Sequence, residues 1–344
     1  MTGLSQDRWE SSLGAILPRA LRARAGWTSE PHDGACRLFN GFLEGDPDIV
    51  IDLYARTLVL YNYARDPQSA QVRLQAAQDW LLEQFPWVQT VVVKTRGAPE
   101  PERRCGVLAY GSAPDRKIRE HGVWYAVDLM LNLDSSLYLD TRELRAWASS
   151  HLVGKKVLNT FAYTGSLGVA ALAGGASQVV QMDLNRRFLN LAKESYQLNG
   201  FAVKSSDFLS GDFWVLVSRL KREDRLFDCV FVDPPFFSVT DAGKVDLVAE
   251  SHRVINKARP LVGHEGYLVT INNALFVSGD QYMKMLTELC SSGYLSIDEV
   301  IPVPPDSTGF AETRTGALPA DPAPFNHSTK IVVLRVRRKD ERRA

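Results

Sequence analysis

The chain has 344 residues and few of the residues that build metal centres or disulfide frameworks. Its four cysteines, Cys36, Cys105, Cys229 and Cys290, stand far apart, and no pair has metal-ligand spacing. The six histidines include no H-x-x-x-H pair, so no metal is expected. No apolar run is long enough to span a bilayer, and Met1–Trp9 is polar, without the apolar core of a secretory signal. No membrane partner is expected, and a reducing cytoplasm is the expected address. Charge of one sign is not in excess: Lys plus Arg and Asp plus Glu number 40 each. That excludes a pervasive basic field for gripping nucleic acid, although a sum leaves a local patch open. Internal repeats and low-complexity tracts are also missing.

What is present suits a globular chain of two domains, with 45% apolar and 23% charged residues. Leu13–Arg24 reads as an amphipathic helix with Arg19, Arg22 and Arg24 on its polar side, a solvated face in preference to an RNA-contacting one. Asp48–Tyr63 is two β-rich runs around Ala-Arg-Thr, hence a hairpin. Gln68–Phe85 carries Val72, Leu74, Ala77, Leu81 and Leu82 near helical period. Thr90–Lys94 and Tyr125–Leu131 read as further strands. Together these make a small α+β domain over 1–125, a possible substrate- or RNA-binding part. From about Thr141 strand-like runs alternate with helix-length segments, the rhythm of parallel βαβ units, so 126–344 is expected to be a doubly wound α/β domain. Asp140-Thr141-Arg142-Glu143 fits a capping box. Strands are expected at Lys156–Asn159, Gln178–Asp183, Asp228–Val232, Tyr267–Ile271 and Ile331–Val336. Pro302–Pro324, rich in Pro, Gly and Ala, reads as a long surface loop.

In such a sheet ligands bind beyond the carboxyl ends of the strands, and three ends carry suitable residues. After the first strand, Asn159-Thr160-Phe161-Ala162-Tyr163-Thr164-Gly165-Ser166-Leu167-Gly168 leads into a helix. Gly165 permits close backbone approach, Gly168 tight packing, and the helix N-terminus offers N–H groups to a carboxylate. The spacing is not that of dinucleotide-binding G-x-G-x-x-G. Asp183 ends the second strand, where an acid can accept hydrogen bonds from ribose hydroxyls or cap the following helix. Asp233-Pro234-Pro235-Phe236 follows Cys-Val-Phe-Val. Its prolines remove two N–H donors, leaving carbonyl and carboxylate acceptors beside an aromatic ring, a set that can hold a planar amino or ring nitrogen.

These runs, with Asp134-Ser135-Ser136-Leu137-Tyr138-Leu139-Asp140-Thr141-Arg142, Asn199-Gly200 and Gly211-Asp212-Phe213, resemble the bacterial class I methyltransferases that modify large-subunit ribosomal RNA, a family with cytosine-C5 and guanine-N7 branches. The resemblance spans roughly Leu38 to Arg338. It implies a Rossmann-like seven-stranded sheet with an antiparallel last strand. It also implies S-adenosylmethionine as cofactor, held at Tyr138, Asp140, Arg142, Asn159, Thr160, Phe161, Ala162, Tyr163, Thr164, Gly165, Asp183, Leu184, Asp212 and Asp233. Many members begin with an RNA-binding PUA domain; only about forty residues precede the hairpin here, so that domain is expected to be absent or shortened.

Cytosine C5 is a poor nucleophile and needs a cysteine thiolate to add to C6. Cytosine enzymes of this family keep that cysteine after the strand following Asp-Pro-Pro. Here the place reads Val269-Thr270-Ile271-Asn272-Asn273-Ala274, and Asn272-Asn273 resembles the guanine-N7 branch. Methylation of a base nitrogen is therefore expected, with Asp233, Pro234, Phe236 and Asn272 shaping the pocket. The rivals are a cytosine-C5 enzyme, a small-molecule or protein methyltransferase, and a non-catalytic RNA-binding factor. A nicotinamide dehydrogenase has no use for Asp-Pro-Pro-Phe. Phe325–Lys330 either closes over the substrate or anchors a loop. The basic tail Arg335, Arg337, Arg338, Lys339, Arg342 and Arg343 reads as a solvated strand end before a phosphate contact. The oligomeric state stays open, a homodimer included.

Overall fold

The computed structural model describes residues 13–30 and 32–339. Met1–Trp9, and Arg342 and Arg343 of the basic tail, lie outside them. The chain forms two compact units: Met1–Leu139 with Pro304–Ala317, and Asp140–Val303 with Leu318–Ala344.

In the first unit helix α1 (Leu13–Ala23) precedes strands β1 (Ala35–Asn40), β2 (Ile49–Tyr54) and β3 (Thr57–Asn62). The expected hairpin is β2–β3, turning on Ala55 at φ +47°. Helix α2 (Gln71–Gln84) crosses to β4 (Thr90–Thr95), which runs parallel to β3, and β5 (Val107–Tyr110) closes the sheet in the order β1-β2-β3-β4-β5. A separate hairpin, β6 (Lys117–Glu120) and β7 (Val123–Ala126), accounts for the start of the strand expected at Tyr125–Leu131; the rest is turn. Leu13, Leu17 and Ala20 of α1 and Leu74, Ala77 and Leu81 of α2 pack on the sheet's apolar residues, as helical spacing requires. Val72 falls off that stripe and is exposed.

Two expectations are corrected here. Arg24 is not on a solvated face: its guanidinium is buried and meets the Glu44 carboxylate at two 3.0 Å contacts. Nor is Pro302–Pro324 a free surface loop. Its short helix Pro305–Thr308 packs on β1, where the Asp306 carboxylate accepts the Arg37 amide at 3.0 Å and the Ser307 carbonyl accepts the Asn40 amide at 2.7 Å. Backbone groups buried in this way need partners, and Pro304–Ala317 supplies them. The first unit also extends past the expected boundary at 125. Ser135 lies 2.5 Å from the Tyr61 hydroxyl, and Lys94 Nζ donates to the carbonyls of Asn132 and Asp134.

The second unit is a doubly wound α/β domain, as expected. Its elements are α3 (Arg142–His151), β8 (Lys156–Thr160), α4 (Ser166–Ala173), β9 (Gln178–Asp183), α5 (Arg186–Leu198), β10 (Phe208–Ser210), α6 (Phe213–Arg222) and β11 (Phe227–Val232). The hairpin β12 (Phe237–Thr240) and β13 (Gly243–Asp246) follows, then α7 (Ser251–Ala258), β14 (Val262–Asn272), α8 (Gly279–Cys290), β15 (Leu295–Ile301) and β16 (Lys330–Val336). The seven-stranded sheet has the order β10-β9-β8-β11-β14-β16-β15. Strands β10, β9, β8, β11 and β14 are parallel, and the last strand in the chain, β16, is antiparallel to both neighbours. Side chains of α3 and α4 pack with one apolar cluster of the unit and those of α6, α7 and α8 with the other.

Chain order reverses between β8 and β11, so the switch point lies there. The register makes the carboxyl ends level: Thr160 faces both Met182 and Val232, and Val232 faces Thr270. The residues that follow these strands therefore share one edge. The expected capping box at Asp140 does not form. Thr141 is the N-cap without a side-chain cap bond, and the Asp140 carboxylate accepts the Thr329 hydroxyl at 2.7 Å.

Candidate active site

The loop after β8 is held in a conformation few side chains adopt freely. Phe161 and Tyr163 have φ of +52° and +51°, and Gly165, the N-cap of α4, has +79°. Such residues cost about 1–3 kcal/mol each unless their surroundings impose them. Here the surroundings are explicit. The Ala162 amide donates to the Met182 carbonyl at 2.8 Å, and the Tyr163 amide to Asp183 Oδ2 at 2.8 Å. Phe161 stacks on Phe213 at 4.6 Å, and Tyr163 meets Phe188 edge-on at 4.6 Å. Thr160 donates its hydroxyl to the Phe231 carbonyl at 2.7 Å, tying β8 to β11, and Thr164 is buried.

Beneath the loop runs a buried polar chain. Asn159 Nδ2 donates to Gln181 Oε1 at 2.9 Å, and Gln181 Nε2 donates to the Gly165 carbonyl at 3.0 Å. Asn159 thus braces the loop from inside the sheet. Gln181 was not anticipated, although a glutamine amid Val-Val-Gln-Met was the visible signal. A Cβ on Gly168 would lie 2.2 Å from Gln181 Nε2, and one on Gly165 2.6 Å from the Ala192 Cβ. Both glycines allow close packing, and only Gly165 also needs its positive φ.

Asp183 is not the cap of α5; Asn185 is. Each Asp183 oxygen accepts one backbone N–H, from Tyr163 and from Asn185 (2.7 Å). An ionised carboxylate has further lone pairs, which leaves capacity toward the edge. Burial pushes this carboxyl above its ordinary range, opposed by those two N–H groups. Leu184, beside it, is exposed. Gly211 donates to the Asp183 carbonyl at 3.0 Å, so Asp212 adjoins the same strand end. Its carboxylate is already engaged, capping α6 through Trp214 and Val215 and accepting the Thr240 hydroxyl at 2.7 Å.

After β11, Pro234 is buried while Phe236 stands 48% exposed. Burial raises the Asp233 carboxyl to about 7, and the Asp140 carboxylate adds to the rise. A buried carboxyl raised in part by a neighbouring carboxylate favours a positively charged partner. At the end of β14, Asn272 is fully buried. Its amide donates to the Leu247 carbonyl (3.1 Å) and Ser251 Oγ (2.9 Å), and its oxygen accepts the Ala274 amide (3.0 Å). Leu247 in turn donates its amide to the Phe236 carbonyl at 3.1 Å. Asn272, expected to shape the pocket, therefore does so by linking two strand ends from within, its side chain engaged by protein partners. Lys330, at the end of the Phe325–Lys330 segment, pairs in register with Asn272 and donates to the Ala274 carbonyl at 3.0 Å; burial lowers its ammonium to about 8.

Asp140, Arg142 at the start of α3, and residues 159–165, 183, 184, 212, 233–236 and 272 all belong to the second unit; Tyr138 belongs to the first, where its hydroxyl donates to Asp134 at 2.9 Å. The Phe325–Lys330 segment is anchored: Asn326 exchanges hydrogen bonds with the Val303 backbone at 2.9 and 2.7 Å. In the tail, Arg335 pairs with Asp298 and lies 4.0 Å over the Tyr267 ring, and Arg337 pairs with Glu265. Among the described residues no group of His, Cys, Asp and Glu could hold a metal, and no helix is long and apolar enough to cross a membrane.

Chemically, the edge combines four things. It has an α4 N-terminus with no side-chain cap, an acid with acceptor capacity, a carboxyl raised by burial and by the neighbouring Asp140 carboxylate, and an exposed aromatic ring near a buried proline. A ligand with a carboxylate, vicinal hydroxyls and a positive centre, facing a planar acceptor, satisfies all of them. The profile of the S-adenosylmethionine-dependent methyltransferases matches residues 46–311. A ribosomal RNA large subunit methyltransferase I of Photobacterium profundum is 29% identical over 275 residues, which are 79% of this chain and 67% of that protein. A ribosomal RNA large subunit methyltransferase K/L of Colwellia psychrerythraea is 30% identical over 267 residues, 72% of this chain and 36% of the relative. In fold, the chain is similar to a candidate S-adenosylmethionine-dependent methyltransferase from Streptococcus mutans, with a TM-score of 0.78 at 20% identity, covering 94% of this chain and 80% of that one. S-adenosylmethionine, which the matching profile names, has the carboxylate, hydroxyls and sulfonium that suit the edge, and the chain belongs to the S-adenosylmethionine-dependent methyltransferase family.

Proposed function

We propose that this enzyme methylates a base nitrogen of ribosomal RNA, in the cytoplasm where that RNA is found. The observation that carries the choice of atom is the absence of sulfur among the residues gathered at the strand ends. Cys229 lies inside β11, and burial drives its thiol well above the ordinary range. Cys290 belongs to α8, and Cys36 and Cys105 belong to the first unit, Cys36 buried in β1. Without a thiolate, cytosine C5 has no route to activation. A nitrogen lone pair needs none.

When bound, S-adenosylmethionine supplies an electrophilic methyl group on a sulfonium. The protein's part is to align that group with the base and keep water out. In this reading Asp183 accepts the ribose hydroxyls. The α4 N-terminus, with Thr164 and Gly165, receives the carboxylate. Asp140 and Arg142 complete the cradle. The base lies against Phe236, its nitrogen edge toward Asp233 and the Pro234 carbonyl. If the acceptor is an exocyclic amino group, the Asp233 carboxylate would hold one N–H and would take its proton as the methyl passed from sulfur to nitrogen. If it is a ring nitrogen, Asp233 only orients the base. Asn272 is a positioning residue, fixing the Leu247 and Phe236 backbone.

The names of the relatives support ribosomal RNA as the acceptor. The test is transfer of labelled methyl groups to fractions from cells lacking the protein. Label in ribosomal RNA is the expected outcome; label confined to protein or small molecules contradicts the proposal.

A further inference from the structure

Helix α2 is mostly a packing helix, with Leu74, Ala77 and Leu81 in the core of the first unit. Gln78 breaks the pattern. It sits in the same stripe and is only 6% exposed, and its carboxamide has no partner within the protein. A leucine would continue the apolar stripe, whereas the Gln78 carboxamide is not one of the fully enclosed polar groups that lack a partner and so is open to adjoining space. Gln78 borders a cavity of about 320 Å³, within the range of about 300–1,000 Å³ usual for ligand pockets.

The walls follow from periodicity. Gln71, Leu74 and Gln78 line one side, at helical spacing on one face of α2. Val93 and Thr95 of β4 line the other, two residues apart on one face of the strand. Thr95 is 4% exposed, and its hydroxyl, like the Gln78 carboxamide, has no partner within the protein. Arg103 is the one charged side chain among the lining residues; its contact with Glu100 is 3.9 Å between two exposed groups, a weak pairing.

Two polar groups without a partner within the protein and one cation, in walls that mix Gln71 and Gln75 with Leu74 and Val93, suit a planar ligand with hydrogen-bonding edges and a negative charge. Carboxamides pair with base edges, and a guanidinium pairs with phosphate. We propose that this cavity takes one unpaired nucleotide of the RNA substrate, its base against Gln78 and Thr95 and its phosphate at Arg103. The proposal rests on the RNA reading above and adds a second contact point, in the small unit. The substrate must then offer a single-stranded nucleotide in addition to the one methylated.

The probes are the four ribonucleoside 5′-monophosphates, titrated calorimetrically into the full chain with S-adenosylhomocysteine saturating the methyl-donor site. At least one should bind saturably, and Gln78→Leu and Arg103→Gln should each weaken it about tenfold or more. Melting temperature and S-adenosylhomocysteine affinity should stay unchanged. Arg103 lies at the surface, so its variant keeps the test valid if Gln78→Leu folds poorly. No saturable binding, or equal binding to the variants, overturns the proposal. The methyl-transfer assay separates the two readings. Ribosomal RNA methylated at unchanged kcat/KM by both variants sinks the cavity and spares the RNA reading. Nucleotide binding lost in the variants, with ribosomal RNA never methylated, sinks the RNA reading and spares the cavity.

Discussion

In the first unit the buried Arg24 guanidinium is met by Glu44 at 3.0 Å, and Arg37 is paired with the buried Asp52 at 2.8 Å. In the second unit Asp233 has its carboxyl raised to about 7, and the charge acting on it is another carboxylate, Asp140. Asp183 is met only by two backbone amides. Burying a charge is costly unless a partner compensates. Where the protein supplies the partner, the charge is architecture: Arg24, Glu44 and Asp306 tie Pro304–Ala317 to the first unit. Where it does not, the proposed methyl donor and base would supply it. The contrast supports the proposed division between structural and functional ionisable residues without reference to sequence motifs.

Replacing Asp233 attacks the contrast hardest. Asp233→Asn should lower kcat/KM by about 10²–10⁴-fold if the carboxylate accepts a proton. The wild-type rate should fall as pH drops through about 7, since Asp233 is then protonated. The sign for stability is opposite. The folded protein binds this proton more tightly than the unfolded chain, whose Asp has the ordinary value of 3.8. Asp233 therefore lowers stability progressively as pH rises from about 4 to about 7. At pH 8 Asp233→Asn should melt above wild type while losing activity. A variant both inactive and less stable would mean that Asp233 is architecture after all.

The complementary variant is Glu44→Leu, which leaves Arg24 charged and buried. Urea unfolding should show a loss of about 3–5 kcal/mol, with donor affinity intact in whatever fraction folds. By the same logic a fragment of residues 1–139 should not fold alone, because Asp306 and Ser307 supply hydrogen-bond partners to β1 and Asn40.

Much of the second unit was legible because its strands are apolar runs ending in distinctive residues. Gln178–Asp183 and Arg186–Leu198 match the structure at both ends. Strand β15 escaped notice because it is an edge strand bearing Asp298 and Glu299, which pair with Arg335 and the Trp147 indole. Strand β10 has only three residues. The first unit was less legible for a different reason. Arg24 resembles any helical arginine until residues far along the chain, Glu44 and Asp306, converge on it. At the site, local spacing pointed to Asp183, Gly165 and Asp233. It did not reveal that Asn272 is held from within, by Leu247 and Ser251 of a segment with no motif.

Smaller effects sharpen the picture. Gly168→Ala forces a Cβ to 2.2 Å from Gln181 Nε2 and 2.7 Å from Val179 Cγ1. It should cost about 1–3 kcal/mol in thermal or urea unfolding and weaken S-adenosylmethionine binding by displacing the brace under Gly165. Arg337→Ala removes an exposed pair with Glu265 and should change stability by no more than about 0.5 kcal/mol. It should also leave the salt dependence of RNA binding unchanged. A shallower slope would move the tail into the RNA contact.

The claim at the centre is that a strand-end edge without sulfur methylates nitrogen. Nucleoside mass analysis of ribosomal RNA treated with the enzyme tests it directly. An N-methylated base that disappears with Asp233→Asn is the expected result, and 5-methylcytidine would contradict it.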